Sequence, residues 1–164
     1  MATLQFTSAN GSKKNAATVQ RAVHILEQEM RHYGVALNSP IDVRNYLRLQ
    51  LASLQHEVFT CIFLNVHNQV IEAREMFRGT LDSTAIYPRE VVRAALDLNA
   101  ASVTFAHNHP TGDAEPSIAD KAITKALCDA LKGVDVQVHD HFVIAPCSTF
   151  SFSEQGLMRD MHGA

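Results

Sequence analysis

The chain has 164 residues, 46% of them hydrophobic and 19% charged, with a formal net charge of -3. This size and balance suit one globular domain with one core and leave little room for disorder away from the ends. A slightly acidic chain without a Lys/Arg run lacks the electrostatic footprint of a nucleic-acid binder, so nucleic acid is not expected as the main partner.

Residues 1–14 are rich in Ser, Thr, Asn and Lys and read as a flexible lead-in. From residue 15 to about 37 the spacing of Val19, Val23, Leu26, Met30 and Tyr33 predicts an amphipathic helix, with Gly34 as its stop. The rest, residues 38–164, reads as one domain. Ser39-Pro40 looks like an N-cap and first helical position, followed by the apolar stripe Val43, Tyr46, Leu47, Leu51 and Leu54.

Val58 to Val66 is apolar on both faces, as expected of a central strand covered on both sides. His67-Asn68 reads as a turn into a second strand, Val70 to Phe77. A short extended stretch is expected at Ala85–Tyr87, and Pro88 opens a third helix with Val91, Val92, Ala95 and Leu98 apolar. Ser102 to Ala106 is a strand that runs into His107-Asn108-His109-Pro110. Ser117 starts a fourth helix carrying Ile123, Leu127 and Leu131, which Gly133 closes. Val134 to Ile144 alternates, with Val134, Val136, Val138, Phe142 and Ile144 assigned to one face. Thr149 to Phe152 is a last short strand before a C-terminal turn. Helices mixed with hairpin-linked strands predict an α/β fold, a mixed sheet sandwiched by helices.

The three cysteines, Cys61, Cys128 and Cys147, are widely spaced and include no Cys-x-x-Cys pair. They read as free thiols in a reducing compartment rather than as zinc ligands. No apolar run is long enough to span a membrane, and Met1 to Asn15 has no signal-like segment, so a cytoplasmic protein is expected.

The chemistry concentrates at the end of the third strand. Side chains alternate along a strand, so His107 and His109 point the same way and can take two corners of a zinc tetrahedron. Pro110 ends the strand there. Asp120 is the best third ligand: it lies in the first turn of the fourth helix and heads a stripe with Thr124, Leu127 and Leu131. A carboxylate on an inward-facing stripe needs a partner, and a metal ion supplies one. Three protein ligands leave one corner open, as catalytic zinc sites do. Glu57, a charge at the mouth of an apolar strand, is a candidate base whose burial would raise its pKa.

These residues resemble the JAMM (MPN/JAB) zinc metalloprotease motif: His-x-His-Pro, seven intervening residues after His109, then Ser117-x-x-Asp120. The string His107 to Asp113 ending in Pro116-Ser117 is similar to the RadC branch of that family. So are Phe77-Arg78-Gly79-Thr80-Leu81, Tyr87-Pro88-Arg89-Glu90, Asn99-Ala100, Asp140-His141 and Ser151 to Leu157. The resemblance covers Ile41 to Leu157. It implies a cytidine-deaminase-like mixed sheet flanked by helices, and hydrolysis of amide or isopeptide bonds in a peptide or protein substrate. It implies one zinc per chain on His107, His109 and Asp120, Glu57 as general base, and Ser117 as support for the oxyanion. Full RadC proteins usually carry an extra N-terminal helical region with a helix-hairpin-helix look, which is not expected of the one or two helices before Glu57.

Simpler readings stand beside these. An isolated His-x-His pair is more often structural than metal-binding. Ser117-x-x-Asp120 before an apolar run also fits a capping box, and Asp in a first helical turn suits the helix dipole. Glu57 could be a solvated strand-edge residue. Asp113 and Glu115 read as turn and loop carboxylates. His139 and His141 sit on the polar face of their strand with Asp135 and Gln137, solvated or behind the metal site. The alternative to a zinc hydrolase is a non-catalytic module of the same fold that binds a partner in DNA repair. The joint presence of Glu57, His107, His109, Ser117 and Asp120 favours the enzyme.

Overall fold

The computed structural model describes residues 15–25, 40–79, 85–110 and 112–162. Five strands form one mixed sheet: β1 (Val58–Leu64), β2 (Val70–Arg78), β3 (Ser102–Asn108), β4 (Gln137–Ile144) and β5 (Thr149–Ser151). Their spatial order is β2-β1-β3-β4-β5. β3 and β4 run parallel, and the other neighbours are antiparallel. The helices are α1 (residues 15–25), α2 (Pro40–Leu51), α3 (Pro88–Asp97), α4 (Ile118–Lys132) and α5 (Leu157–His162). A parallel pair needs a crossover, and α4 makes it between β3 and β4.

Every residue of β1 and of β3 is buried. On one face Phe59, Cys61, Phe63, Val103 and Phe105 pack with Val91 and Ala95 of α3, Leu127 and Leu131 of α4, and Met158 and Met161 of α5. On the other, Val58, Ile62, Leu64, Ala106, Phe142 and Ile144 pack with Val23 of α1 and Val43, Tyr46, Leu47 and Leu51 of α2. Two helical layers on one mixed sheet are the α/β sandwich expected from the pattern.

The elements depart from the sequence reading at three points. β1 ends at Leu64, and Val66 is 78% exposed in the turn. The Asn65 side chain accepts the backbone N–H groups of His67 and Gln69, so turn chemistry begins earlier than the apolar run suggests. The extended stretch expected before α3 is present at Tyr87, ahead of Pro88. The expected turn follows β5 at residues 152–156, and it leads into a short helix, α5, that the sequence reading does not include.

The third departure matters most for the site. Val134 lies before the strand, and Asp135 takes a left-handed backbone (φ 58°), so β4 begins only at Gln137. The β3–β4 register then slips: Val103 pairs with Val138, but Thr104 pairs with Asp140. His139 is the extra residue of a β-bulge, which reverses the facing of everything after it. Val136 and Val138 therefore join the α3/α4 face, whereas Phe142 and Ile144 join the α2 face. The bulge also turns His141 inward, beside Phe105.

Residues 1–14, 26–39, 80–84, 111 and 163–164 lie outside the described residues, and with them the expected lead-in, the stop at Gly34 and the cap at Ser39.

Candidate metal centre

His107 is the last residue but one of β3, and His109 follows on the same face. The backbone N–H of His109 donates to the Ile144 carbonyl at 2.9 Å, which carries the parallel pairing one residue past the strand. Opposite them α4 begins. Ser117 is its N-cap, and a capping box joins Ser117 to Asp120. The fixed helix start places the Asp120 carboxylate against both imidazoles.

His107 Nε2 lies 3.2 Å from Asp120 Oδ1, and His109 Nε2 lies 3.5 Å from Asp120 Oδ2. The two Nε2 atoms are 2.9 Å apart. Among the described residues, these three side chains form a group whose donor atoms all fall within 4.8 Å and could hold a metal ion. His107 is 7% exposed, and His109 and Asp120 are half-buried. Burial alone would raise the Asp120 carboxyl, but the hydrogen bonds of His107, His109 and Ser117 and the charge of His107 hold it well below the usual carboxylate range. The Asp120 hydrogen bond raises His109, against burial, with help from the Asp113 carbonyl and the charge of Glu57.

The donor set fits a cation. His109 Nδ1 lies 2.7 Å from the Asp113 carbonyl, which can only accept, so Nδ1 carries a proton, and once the ring is neutral Nε2 presents a lone pair. That lone pair faces His107 Nε2 at 2.9 Å beside a carboxylate. Two ring nitrogens at this distance need a proton or a cation between them. Two imidazoles and one carboxylate are donors typical of catalytic zinc sites.

Glu57 immediately precedes β1 and is half-buried. Phe59 pairs with His107 across β1 and β3, and continuing that register sets Glu57 opposite His109. Its charge acts on His109. Ser117 donates its hydroxyl to Asp120 Oδ2 at 2.6 Å, while Asp120 N–H donates to Ser117 Oγ at 3.1 Å. The capping reading of Ser117 is thus present in the structure, with the hydroxyl directed at Asp120.

Three further residues contribute: the sequence assigns no site role to Asn108 or Thr124, and offers His141 as solvated or behind the metal site, of which the structure shows the second. Asn108, between the histidines, faces the other way and is buried; it accepts Val58 N–H at 2.8 Å and donates to the His56 carbonyl at 2.9 Å. Its position at the even place of His-x-His was the available signal. His141 is fully buried, 2.8 Å from His107 Nδ1. Thr124 bridges His141 to α4. His139 stays near the surface, against Asn68. Asp140, which burial pushes upward against the hydrogen bonds of Ser151, Ser153 and His141, ties β4 to the β5 segment.

The profile of the RadC-like JAB domain matches residues 37–157. A UPF0758 protein of Thiobacillus denitrificans is 51% identical over 140 residues, 85% of this chain and 62% of that protein. A UPF0758 protein of Nitrosospira multiformis is 51% identical over 142 residues, 87% of this chain and 63% of that protein. The UPF0758 protein YfjY of Escherichia coli is 45% identical over 141 residues, 86% of this chain and 88% of that protein. The chain belongs to the RadC-like JAB domain family. It spans 62–63% of the length of the first two relatives.

Proposed function

We propose that the protein is a zinc-dependent metallohydrolase that cleaves amide or isopeptide bonds in a peptide or protein substrate. The observation that carries this reading is the convergence of His107, His109 and Asp120 within 4.8 Å at a strand end, next to Glu57. His107, His109 and Asp120 would hold one zinc. When bound, the ion would supply a Lewis acid for the scissile carbonyl and acidify water to near neutrality.

The chain's own residues do the rest. Glu57 accepts the proton of the attacking water and returns it to the leaving nitrogen as the C–N bond breaks. Ser117, at the N-terminus of α4, offers a hydroxyl to the developing oxyanion, a contribution of about 3 kcal/mol when well aimed. For that its hydroxyl must turn from Asp120 towards the substrate. Phe59 and Phe105 pack beneath the histidines and dry the floor of the site.

A peptide rather than nucleic acid is the proposed partner, on the net charge of -3. The buried free thiols Cys61 and Cys128 support a reducing, cytoplasmic setting. No helix among the described residues is long and apolar enough to cross a membrane.

The test is a screen of peptides and isopeptide-linked conjugates with the full chain. Cleavage should stop on chelation, and Glu57→Gln should keep its zinc and fold yet lose turnover. A zinc-loaded Glu57→Gln that works at the wild-type rate would refute the role of Glu57.

A further inference from the structure

We propose that His141 and Thr124 are positioning residues that fix the proton of His107 on Nδ1, so that its Nε2 faces Asp120 and His109 as a bare lone pair. The proposal rests on the metal-centre reading above, because only that reading gives the lone pair a use.

Donors and acceptors alone fix the positions of these protons. Thr124 Oγ1 lies 2.5 Å from the Asp120 carbonyl, four residues back in α4. A carbonyl has no proton to give, so the Thr124 hydroxyl donates there. Thr124 Oγ1 also lies 2.6 Å from His141 Nδ1. Its single hydrogen is already committed, so it accepts, and His141 carries its proton on Nδ1. His141 Nε2 is then the acceptor in its 2.8 Å contact with His107 Nδ1. His107 must therefore hold its proton on Nδ1. The direction of the whole chain is set by one backbone carbonyl of α4.

The surroundings keep His141 neutral, as the relay requires. Its ring stacks on Phe152 at 4.9 Å and meets the edges or faces of Phe59 and Phe105 at 5.5 and 5.9 Å. It is fully buried, and a charge in that aromatic box would be costly. Its backbone is fastened as well: the N–H donates to Asp140 Oδ1 at 2.7 Å and the carbonyl accepts Phe152 N–H at 3.0 Å. Thr124 is also fully buried. The same helix thus supplies Asp120 to the metal centre and, one turn on, the residue that orients His107. His109 is served separately by the Asp113 carbonyl. Neutral imidazole binds a metal through the nitrogen opposite its proton, and partners of this kind typically govern 10–100-fold in metal affinity.

The experiment uses the metal-free full chain at alkaline pH, with ring tautomers read from long-range proton–nitrogen NMR correlations. Wild-type His107 and His141 should both show a protonated Nδ1 and an unprotonated Nε2. Thr124→Val removes the hydroxyl and keeps the shape. It should mix the tautomers of His141 and His107 and weaken zinc binding by about 10–100-fold, and Thr124→Ser should restore both. A wild-type spectrum with His107 protonated on Nε2 overturns the proposal, whether or not Thr124→Val folds. So does a folded Thr124→Val with wild-type tautomers and zinc affinity. The stated tautomers in a wild-type protein that binds no zinc would sink the metal reading and leave the relay standing.

Discussion

The side-chain oxygen of Asn108 accepts the backbone N–H of Val58 at 2.8 Å, a bond between the residue that separates the two histidines and the residue that follows Glu57. Its amide nitrogen reaches the His56 carbonyl on the other side of Glu57. Asn108 thus holds the candidate base and the candidate metal ligands in one frame, from the opposite face of the sheet. Asn108→Ala should leave a buried N–H unsatisfied and destabilise the fold by about 1–3 kcal/mol. Urea unfolding of the variant measures this. Turnover should fall more than zinc content, since Asn108 touches no ligand; a variant as stable as wild type would show that the clamp carries no energy.

Ser117 serves α4 before it serves any substrate. Removing its hydroxyl in Ser117→Ala should cost about 1 kcal/mol through loss of the cap. It should also weaken zinc binding, because Asp120 loses a hydrogen-bond donor and the helix start that aims it. Thermal melts with and without zinc separate the two effects. A variant with unchanged melting and unchanged metal affinity would leave the capping box without consequence.

Metal loading should depend on pH through His109. The Asp120 hydrogen bond raises its pKa above 6.5. In the metal-free protein the proton on His109 therefore stabilises the fold, fully below the unfolded value, and that stabilisation is lost as pH rises through the raised one. Zinc loading runs the other way, since the ligand must shed its proton. Affinity should fall as pH drops through the raised His109 value, approaching about tenfold per unit once one proton is displaced. Competition titrations between pH 8 and pH 6 measure this, and a flat profile would exclude His109 as a ligand.

Much of this arrangement is legible in local sequence. Pro88 and Ser117 mark helix starts because each has a local reason to be there, a preset φ and a side-chain cap. The unbroken apolar runs of β1 and β3 announce strands covered on both faces. His107 and His109 share a face by strand parity, and α4 places Asp120 opposite. The inward turn of His141 is not legible in this way. It depends on the bulge at His139, which is fixed by pairing with Val103 and Thr104 and by Asp140 capturing the N–H of His141. Strict alternation from Val134 to Ile144 gives the wrong face after that point. Thr124 is visible as an inward residue, but its partner lies 17 residues away on another element. Glu57 is visible as a misplaced charge; the clamp that holds its segment is not.

The central claim is a metal site made of His107, His109 and Asp120, and the most direct test is the zinc content of purified protein by elemental analysis. Wild-type protein should carry about one zinc per chain, as a three-ligand catalytic site requires. His107→Ala and Asp120→Ala should each lose nearly all of it while remaining folded by circular dichroism. Retention of full zinc by both variants would contradict the account.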